Sequence, residues 1–139
     1  MGKPNNKGRS KGGRYVGLGH PLVTSPAFRS LGGPAVKVYI ELRDRYMGAN
    51  NGEVYLSYTE ASRLLNLGKS TVSASFDELQ EKGLLKQTRQ GSFYERLAST
   101  WAFTDQGLGA SLATNEWRRW PHEKQKIAPK NPHHFRRRK

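Results

Sequence analysis

The chain has 139 residues, about one ordinary domain, and its 24 Lys and Arg residues against 11 Asp and Glu give a formal charge of +13. It has no cysteine, which excludes disulfides, Cys-ligated zinc or iron–sulfur centres and a thiolate nucleophile. No stretch approaches the roughly 18 apolar residues of a membrane span and no signal-peptide core follows the N-terminus, so we expect a soluble cytoplasmic protein whose partners are polyanions.

The excess positive charge lies at the two ends of the sequence. Residues 1–14 contain five basic residues and no acid, and residues 118–139 contain nine basic residues and one acid, whereas residues 15–117 contain ten of each. Both end segments have too few apolar side chains to offset the entropy lost on folding. We therefore predict one domain at 15–117 between two flexible basic arms, whose charge either serves solubility or contacts nucleic-acid phosphates.

Two helices are predicted at the start of this domain. Ser25-Pro26 predicts a short helix running to Leu31, because Ser can cap free amides and Pro suits the first helical turn. Gly32-Gly33-Pro34 ends it and begins a helix over 34–47. The apolar stripe of that helix consists of Ala35, Tyr39, Leu42 and Tyr46, flanked by Val36, Ile40 and Met47. Its polar face consists of Lys37, Glu41, Arg43, Asp44 and Arg45. A turn around Asn50-Asn51 and a strand over 53–56 follow.

The next segment predicts a helix-turn-helix. Ser57 and Glu60 form a capping box, which predicts a helix start. The apolar residues of this first helix are Ala61, Leu64 and Leu65. A turn at 66–68 that contains Gly68 separates it from a second helix over 69–82, which Gly83 ends. The apolar spacing that predicts the second helix comes from Val72, Phe76 and Leu79.

Two strands are predicted after these helices, at 84–89 and 99–104, with a loop between them. The order helix, strand, helix, turn, helix, strand, loop, strand is that of a winged helix-turn-helix, in which the loop forms the wing. The predicted fold class is therefore mostly α with a small β-hairpin wing, within the α+β class.

The sequence also resembles known winged-helix regulators. The run from Ser57 to Leu85, ending Phe76-Asp77-Glu78-Leu79-Gln80-Glu81-Lys82-Gly83-Leu84-Leu85, resembles regulators of the MarR and GntR kind. A longer resemblance covers roughly residues 15–120 and is carried by the segments 26–31, Asn50-Asn51-Gly52, 57–61, Ser99-Thr100-Trp101 and 115–120. With these segments the chain is similar to small bacterial helix-turn-helix proteins often found among phage, plasmid and integrative-element genes. The resemblance implies DNA binding. It departs from the MarR and GntR pattern at Ala74, which follows Thr71-Val72-Ser73 where those proteins commonly carry an Arg that reads guanine.

The exposed face of the second motif helix carries the predicted DNA contacts, which are Lys69, Ser70, Thr71, Ser73 and Ala74. Hydroxyl side chains allow close approach to phosphates or base edges, and Ala74 can touch a thymine methyl. Asp77 at the edge of this face would repel phosphate unless it accepts a hydrogen bond from a cytosine amine. The alternative is that the Ser and Thr residues only cap and solubilise a helix of a protein-binding winged helix.

Further predicted contacts lie on the wing and beside the C-terminal arm. The wing carries Lys86, Arg89 and Arg96, with Phe93 and Tyr94 near its tip, and such residues follow the DNA backbone or enter the minor groove. A solvated charged hairpin is the alternative. Arg118 and Arg119 are also candidate contacts. Trp117 and Trp120 on either side of them either stack on bases or, as we favour, dock the arm on the domain.

No residue set predicts catalysis. Gly68-Lys69-Ser70 resembles the end of a phosphate-binding loop, but Arg63 stands where that loop needs its first glycine, and a helix rather than a strand precedes it. The four histidines lack a metal-binding spacing with a carboxylate. We expect no enzyme activity, cofactor, metal ion or small-molecule substrate.

We predict a bacterial, nucleoid-associated protein that binds double-stranded DNA as a homodimer and regulates transcription, with helix 34–47 as the pairing surface. Three alternatives remain open. These are a replication-initiation or recombination accessory factor of a mobile element, an RNA- or ribosome-binding winged helix, and an adaptor that binds a capsid or another protein.

Overall fold

The computed structural model of the protein describes residues 13–92 and 94–121. In them the elements are α1 (His20–Val23), α2 (Pro26–Arg29), α3 (Gly33–Asp44), β1 (Val54–Tyr55), α4 (Tyr58–Leu65), α5 (Lys69–Glu81), β2 (Leu85–Arg89), β3 (Thr100–Phe103) and a 3₁₀ helix at Glu116–Arg119. Most of both predicted basic arms lies outside the described residues, as does Phe93. Among the described helices, none has both the length and the apolar character that crossing a membrane requires.

The three described strands form one antiparallel sheet in the order β1-β3-β2. Trp101 and Phe103 of the middle strand point to the same side, where Trp101 meets α5 and Phe103 meets α3 through ring contacts. Helices thus cover one face of a small sheet. The described part of the chain is mixed helix and antiparallel sheet, in agreement with the predicted α+β class.

Helix α2 begins where the sequence predicts. The Ser25 hydroxyl accepts a hydrogen bond from the Phe28 amide at 3.1 Å and donates to the Leu22 carbonyl at 2.7 Å. This confirms Ser25 as the cap, because its oxygen satisfies an amide that has no partner within the helix. The helix ends at Arg29, slightly earlier than the predicted Leu31.

Helix α3 ends at Asp44, before the predicted position 47. The chain leaves the helix there because Asn50 binds both sides of the following turn. Its side-chain amide donates to the Arg45 carbonyl at 3.0 Å, and its side-chain oxygen accepts from the Met47 amide at 2.7 Å. Met47 is 75% exposed, so its assignment to the flank of the apolar stripe is wrong.

The assignment of Arg43 to the polar face of α3 is also wrong. Arg43 is 6% exposed, and its guanidinium donates to both carboxylate oxygens of Asp105, at 2.7 and 3.1 Å, and to the Tyr39 hydroxyl at 3.1 Å. It lies 4.8 Å from the centre of the Phe103 ring. A carboxylate far along the sequence therefore allows a charged residue to occupy the core side of this helix.

Helix α4 begins with half of the predicted capping box. The Ser57 hydroxyl accepts from the Glu60 amide at 3.0 Å, which confirms the cap. The Glu60 carboxylate is instead bound by the Arg45 guanidinium at 3.1 Å. Leu64, predicted as part of the apolar face, is 47% exposed, because α4 ends one residue later and turns at Asn66, which has a left-handed φ of 59°.

The apolar register predicted for α5 is confirmed, since Val72, Phe76 and Leu79 are fully buried. The Phe76 ring stacks between Tyr58, with centroids 5.2 Å apart, and Trp101, with centroids 4.9 Å apart. This stack joins α4, α5 and β3 around one buried side chain.

The end of α5 is packed against the 3₁₀ helix. Gly83 has the left-handed φ of 82° predicted for the residue that ends the helix. A Cβ atom at Gly83 would lie 2.8 Å from the Glu116 carbonyl carbon, so the close approach requires glycine. Trp117 is 4% exposed in the core, Trp120 packs against it, and the 3₁₀ helix contacts α2. The docking interpretation of these tryptophans is therefore confirmed.

Asn51 holds together the turn that follows β3. Its side-chain amide donates to the carbonyls of Phe103, Gln106 and Gly107, at 3.1, 3.2 and 2.8 Å, and its side-chain oxygen accepts from the Phe103 amide at 2.7 Å. The sequence predicts only a turn at Asn50-Asn51. These long-range bonds connect that turn to the turn after β3, at the same end of the antiparallel sheet.

Candidate nucleic-acid interface

The five predicted contacts on α5 all lie on its first two turns. Lys69, Ser70 and Ala74 are exposed, whereas Thr71 and Ser73 are partly buried. The helix begins at Lys69, and its N-cap residue Gly68 supplies no side-chain acceptor for the first amides. This end of α5 therefore presents small side chains, one Lys and polar backbone groups, and Asp77 is exposed further along.

Helix α5 is held rigidly by its neighbours. Its buried side chains anchor one face, and Glu78 bonds from α5 to the start of α3, where its carboxylate accepts from the Gly32 amide at 3.2 Å. Lys82 donates to the same carboxylate at 2.8 Å and lies 4.9 Å from the Trp120 ring centre. A helix fixed in this way can present its exposed face in one orientation.

Two predicted contacts on the hairpin β2–β3, Arg89 and Arg96, line the same groove. This groove has a volume of about 880 Å³ and lies between the hairpin loop and the start of α4, and Tyr55, Glu60 and Tyr94 also line it. Arg89 donates to the Ala98 carbonyl at 2.7 Å, which fixes one end of its guanidinium. Both arginines are exposed, so their charge is open to an anionic partner.

Lys86, the third predicted contact of the hairpin, lies elsewhere. It is exposed and pairs with Ala102 across the sheet, and it lines a separate depression of about 140 Å³ together with Leu108 and Leu112. The structure thus brings Arg89 and Arg96 together and places Lys86 apart from them.

Arg118 and Arg119 lie on the 3₁₀ helix and are exposed. This helix packs at Gly83, beyond the last turn of α5, whereas the predicted contacts of α5 lie on its first turns. The 13 residues of α5 span about 20 Å at 1.5 Å per residue. The two groups of predicted contacts therefore lie at opposite ends of α5.

Two tyrosines at this place were not assigned to the site by the sequence interpretation. Tyr55 lines the groove, and Tyr58 lines an adjoining depression. Tyr55 is 56% exposed and Tyr58 is 42% exposed, although both follow a pattern that predicts ordinary strand and helix residues. The sequence signal for these two tyrosines is weak: they stand directly before and directly after the pair Leu56-Ser57. Which faces of the two tyrosines remain open depends on the hairpin, whose position the local sequence does not predict.

Arg45 reduces the negative charge at the groove. Burial alone would lower the pKa of its guanidinium, but hydrogen bonds and charge from Glu60 and Glu41 raise the pKa overall. Arg45 therefore stays protonated and neutralises one carboxylate that lines the groove.

In Arg43, burial likewise lowers the pKa, and the bonds to Asp105 and Tyr39 more than compensate. Burial raises the pKa of the Tyr39 hydroxyl, which stays neutral.

Within residues 13–92 and 94–121 no cluster of three or more His, Asp or Glu side chains could hold a metal ion.

Comparisons with protein-family models, with curated proteins and with solved structures find no match to this chain. The resemblance to winged-helix regulators therefore stays an expectation, and function must be argued from the side chains themselves.

Proposed function

We propose that the protein binds double-stranded DNA as a winged helix-turn-helix, with the first turns of α5 in the major groove and the β2–β3 hairpin as the wing. The observation that carries this proposal is the two-sided character of α5. Its core face is fully buried at Val72, Phe76 and Leu79. On the opposite side Lys69 is exposed, and the small exposed side chains of Ser70 and Ala74 allow close approach to base edges.

The hairpin and the basic ends would add affinity without sequence readout. Arg89 and Arg96 lie on one groove of the hairpin and suit phosphate or minor-groove contacts. Arg118 and Arg119, at the other end of α5, suit a phosphate further along the duplex. Lys86 faces another depression and would contribute through the overall positive charge.

Transcriptional regulation in the bacterial cytoplasm is the proposed role of this binding. A replication or recombination accessory factor would bind DNA in the same way and would be identified by repeated sites at an origin or a recombination locus. An RNA-binding protein would instead prefer structured RNA to duplex DNA. We retain regulation because modest sequence readout by one helix suits a protein that marks sites without acting on them.

A homodimer remains part of the proposal, because paired helix-turn-helix units match two half-sites of DNA. The predicted pairing surface on α3 needs correction in one respect. Ala35, Val38, Tyr39 and Leu42 of this helix are buried within the chain itself. A second copy would therefore have to use other exposed residues, and sedimentation at several protein concentrations would measure the association.

Selection of binding sites from random duplex DNA, with protein freed of nucleic acid, tests the proposal. We expect an enriched site whose binding Ala74→Glu abolishes, because the added carboxylate would face the groove while Glu still favours helix. Gln80→Glu adds the same charge near the other end of α5 and should bind nearly as the natural protein does. Circular dichroism checks that both variants keep their helices. If Ala74→Glu binds the selected site unchanged, α5 is not the reading helix.

A further inference from the structure

Three exposed tyrosines surround the base of the hairpin. Tyr55 and Tyr94 line the groove of about 880 Å³ with Arg89 and Arg96, and Tyr58 lines an adjoining groove of about 450 Å³. The two grooves share Ser57, Ser92, Leu97 and Ala98, so they form one continuous surface. We call it the tyrosine surface. Among the described residues, the aromatic side chains classed as exposed are these three tyrosines and Tyr15.

The stack of rings in the core ends at this surface. Trp101, Phe76 and Tyr58 follow one another with interplanar angles of 23° at both steps. Phe76 covers one face of the Tyr58 ring, and the residue is nevertheless 42% exposed. A further flat ring stacked on Tyr58 would extend this aromatic stack on a support that is already fixed.

The charges around the tyrosines suit a phosphate chain. Arg89 and Arg96 line the larger groove and supply two guanidinium groups. Glu60 in the same groove is bound by Arg45 at 3.1 Å, so its carboxylate is already neutralised. Gln87 and Gln90 line the smaller groove and offer amide groups to base edges. Aromatic rings beside arginines along a groove are the arrangement that binds a single strand through its bases and phosphates.

We propose that the tyrosine surface binds single-stranded nucleic acid, with unstacked bases on Tyr58, Tyr55 and Tyr94 and phosphates on Arg89 and Arg96. A duplex offers these tyrosines no partner, since its bases already stack on each other. The groove of about 880 Å³ has room for an unstacked base of a single strand. This site lies outside the proposed reading face on α5.

The test measures binding of a single-stranded DNA of about 12 nucleotides that carries the fluorescent base 2-aminopurine, a length within the site sizes of single-strand binders. Stacking on tyrosine quenches this base, so fluorescence should fall on binding. Tyr94→Ala should weaken binding about 5- to 150-fold, the range expected for loss of one base–aromatic stack, and Tyr55→Ala should act similarly. Tyr94 is 93% exposed, and circular dichroism checks that the variant keeps its fold.

Tyr15→Ala is the matched control, since Tyr15 is 82% exposed outside the tyrosine surface and its loss should leave binding unchanged. The proposal is overturned if Tyr94→Ala and Tyr55→Ala bind like the natural protein, if Tyr15→Ala weakens binding equally, or if 2-aminopurine fluorescence stays constant on binding. Ala74→Glu separates the two proposals. It should abolish duplex binding and spare the single strand, and single-strand binding that depends on Tyr94 would stand even if duplex recognition by α5 failed.

Discussion

Arg43 and Asp105 form an ion pair inside the fold, with side chains 5% and 11% exposed. Around the guanidinium lie the rings of Phe103 and Tyr46, at 4.8 and 5.6 Å from their centres. Such a pair contributes to stability only while both partners are present, because an unpaired charge in this position keeps its full desolvation cost. The pair connects α3 to the turn after β3, which the local sequence of neither segment indicates.

Asp105→Asn should therefore destabilise the protein by about 3–5 kcal/mol, because it leaves the buried Arg43 charge without a counterion. Urea or thermal unfolding measures the loss. The matched control is Asp44→Asn, which removes a carboxylate from the exposed Arg14–Asp44 pair, whose side chains are 70% and 52% exposed. Its cost should not exceed about 1 kcal/mol. Equal effects of the two substitutions would contradict a buried, paired Arg43.

At the scale of elements, the contact between the end of α5 and the 3₁₀ helix depends on one glycine. Gly83→Ala meets two penalties, a left-handed φ and a Cβ 2.8 Å from the Glu116 backbone. Gly48→Ala is a control that meets only the first, since Gly48 has a φ of 94° and no atom within 4 Å of its Cβ position.

We expect Gly48→Ala to cost about 1–2 kcal/mol of unfolding free energy, the usual price of a left-handed residue with a Cβ. Gly83→Ala should cost clearly more, and it should also raise the fluorescence response of Trp117 and Trp120 to an aqueous quencher, because the 3₁₀ helix must move. The same cost for both alanines would mean that the 3₁₀ helix does not approach Gly83 closely.

Capping residues and apolar spacing predicted the elements that depend on residues close together in the sequence. Ser25 and Ser57 cap helices through amides three residues away, and the spacing of Val72, Phe76 and Leu79 placed the buried face of α5. The predicted contacts on α5 followed from that register and are on its first turns. The fold class, as mixed helix and sheet, followed from the same signals.

The rest depends on partners distant in sequence. Arg43 is buried because Asp105 accepts its hydrogen bonds, and Asn51 holds a turn whose carbonyls come from residues 103–107. The tyrosine surface exists because the hairpin lies beside the start of α4. No periodicity or capping pattern contains these distances, so the sequence named Arg89 and Arg96 as candidates but could not predict that they share a groove with Tyr55 and Tyr94.

For the whole molecule, the excess positive charge lies in the two end segments, 1–14 and 118–139, whereas the buried core lies between residues 22 and 117. Deleting residues 1–12 and 124–139 should lower affinity for any duplex by a similar factor and flatten its salt dependence, because fewer phosphates are neutralised. The deletion keeps Arg14, which donates to Asp44 at 3.1 Å. The unfolding temperature should not change.

A full-length variant in which Lys3, Lys7, Arg9 and Lys11 become Gln is the control that separates charge from chain length. Its duplex affinity should depend on salt concentration as weakly as that of a protein lacking residues 1–12 alone. A truncated protein that melts at lower temperature would show instead that the removed residues support the fold.

The contact between α2 and the 3₁₀ helix joins segments from opposite ends of the described chain. Trp117 shares a core with Leu22 and Ala27, so the early helices have no complete cover until the residues around position 117 have been synthesised. On the ribosome, α4, its turn and α5 can associate early because their contacts are close in sequence. Helices α1 and α2 complete their packing only after Trp117 has been added. A pause in translation before Trp117 lengthens the time for which Leu22 and Ala27 can associate with another unfinished chain.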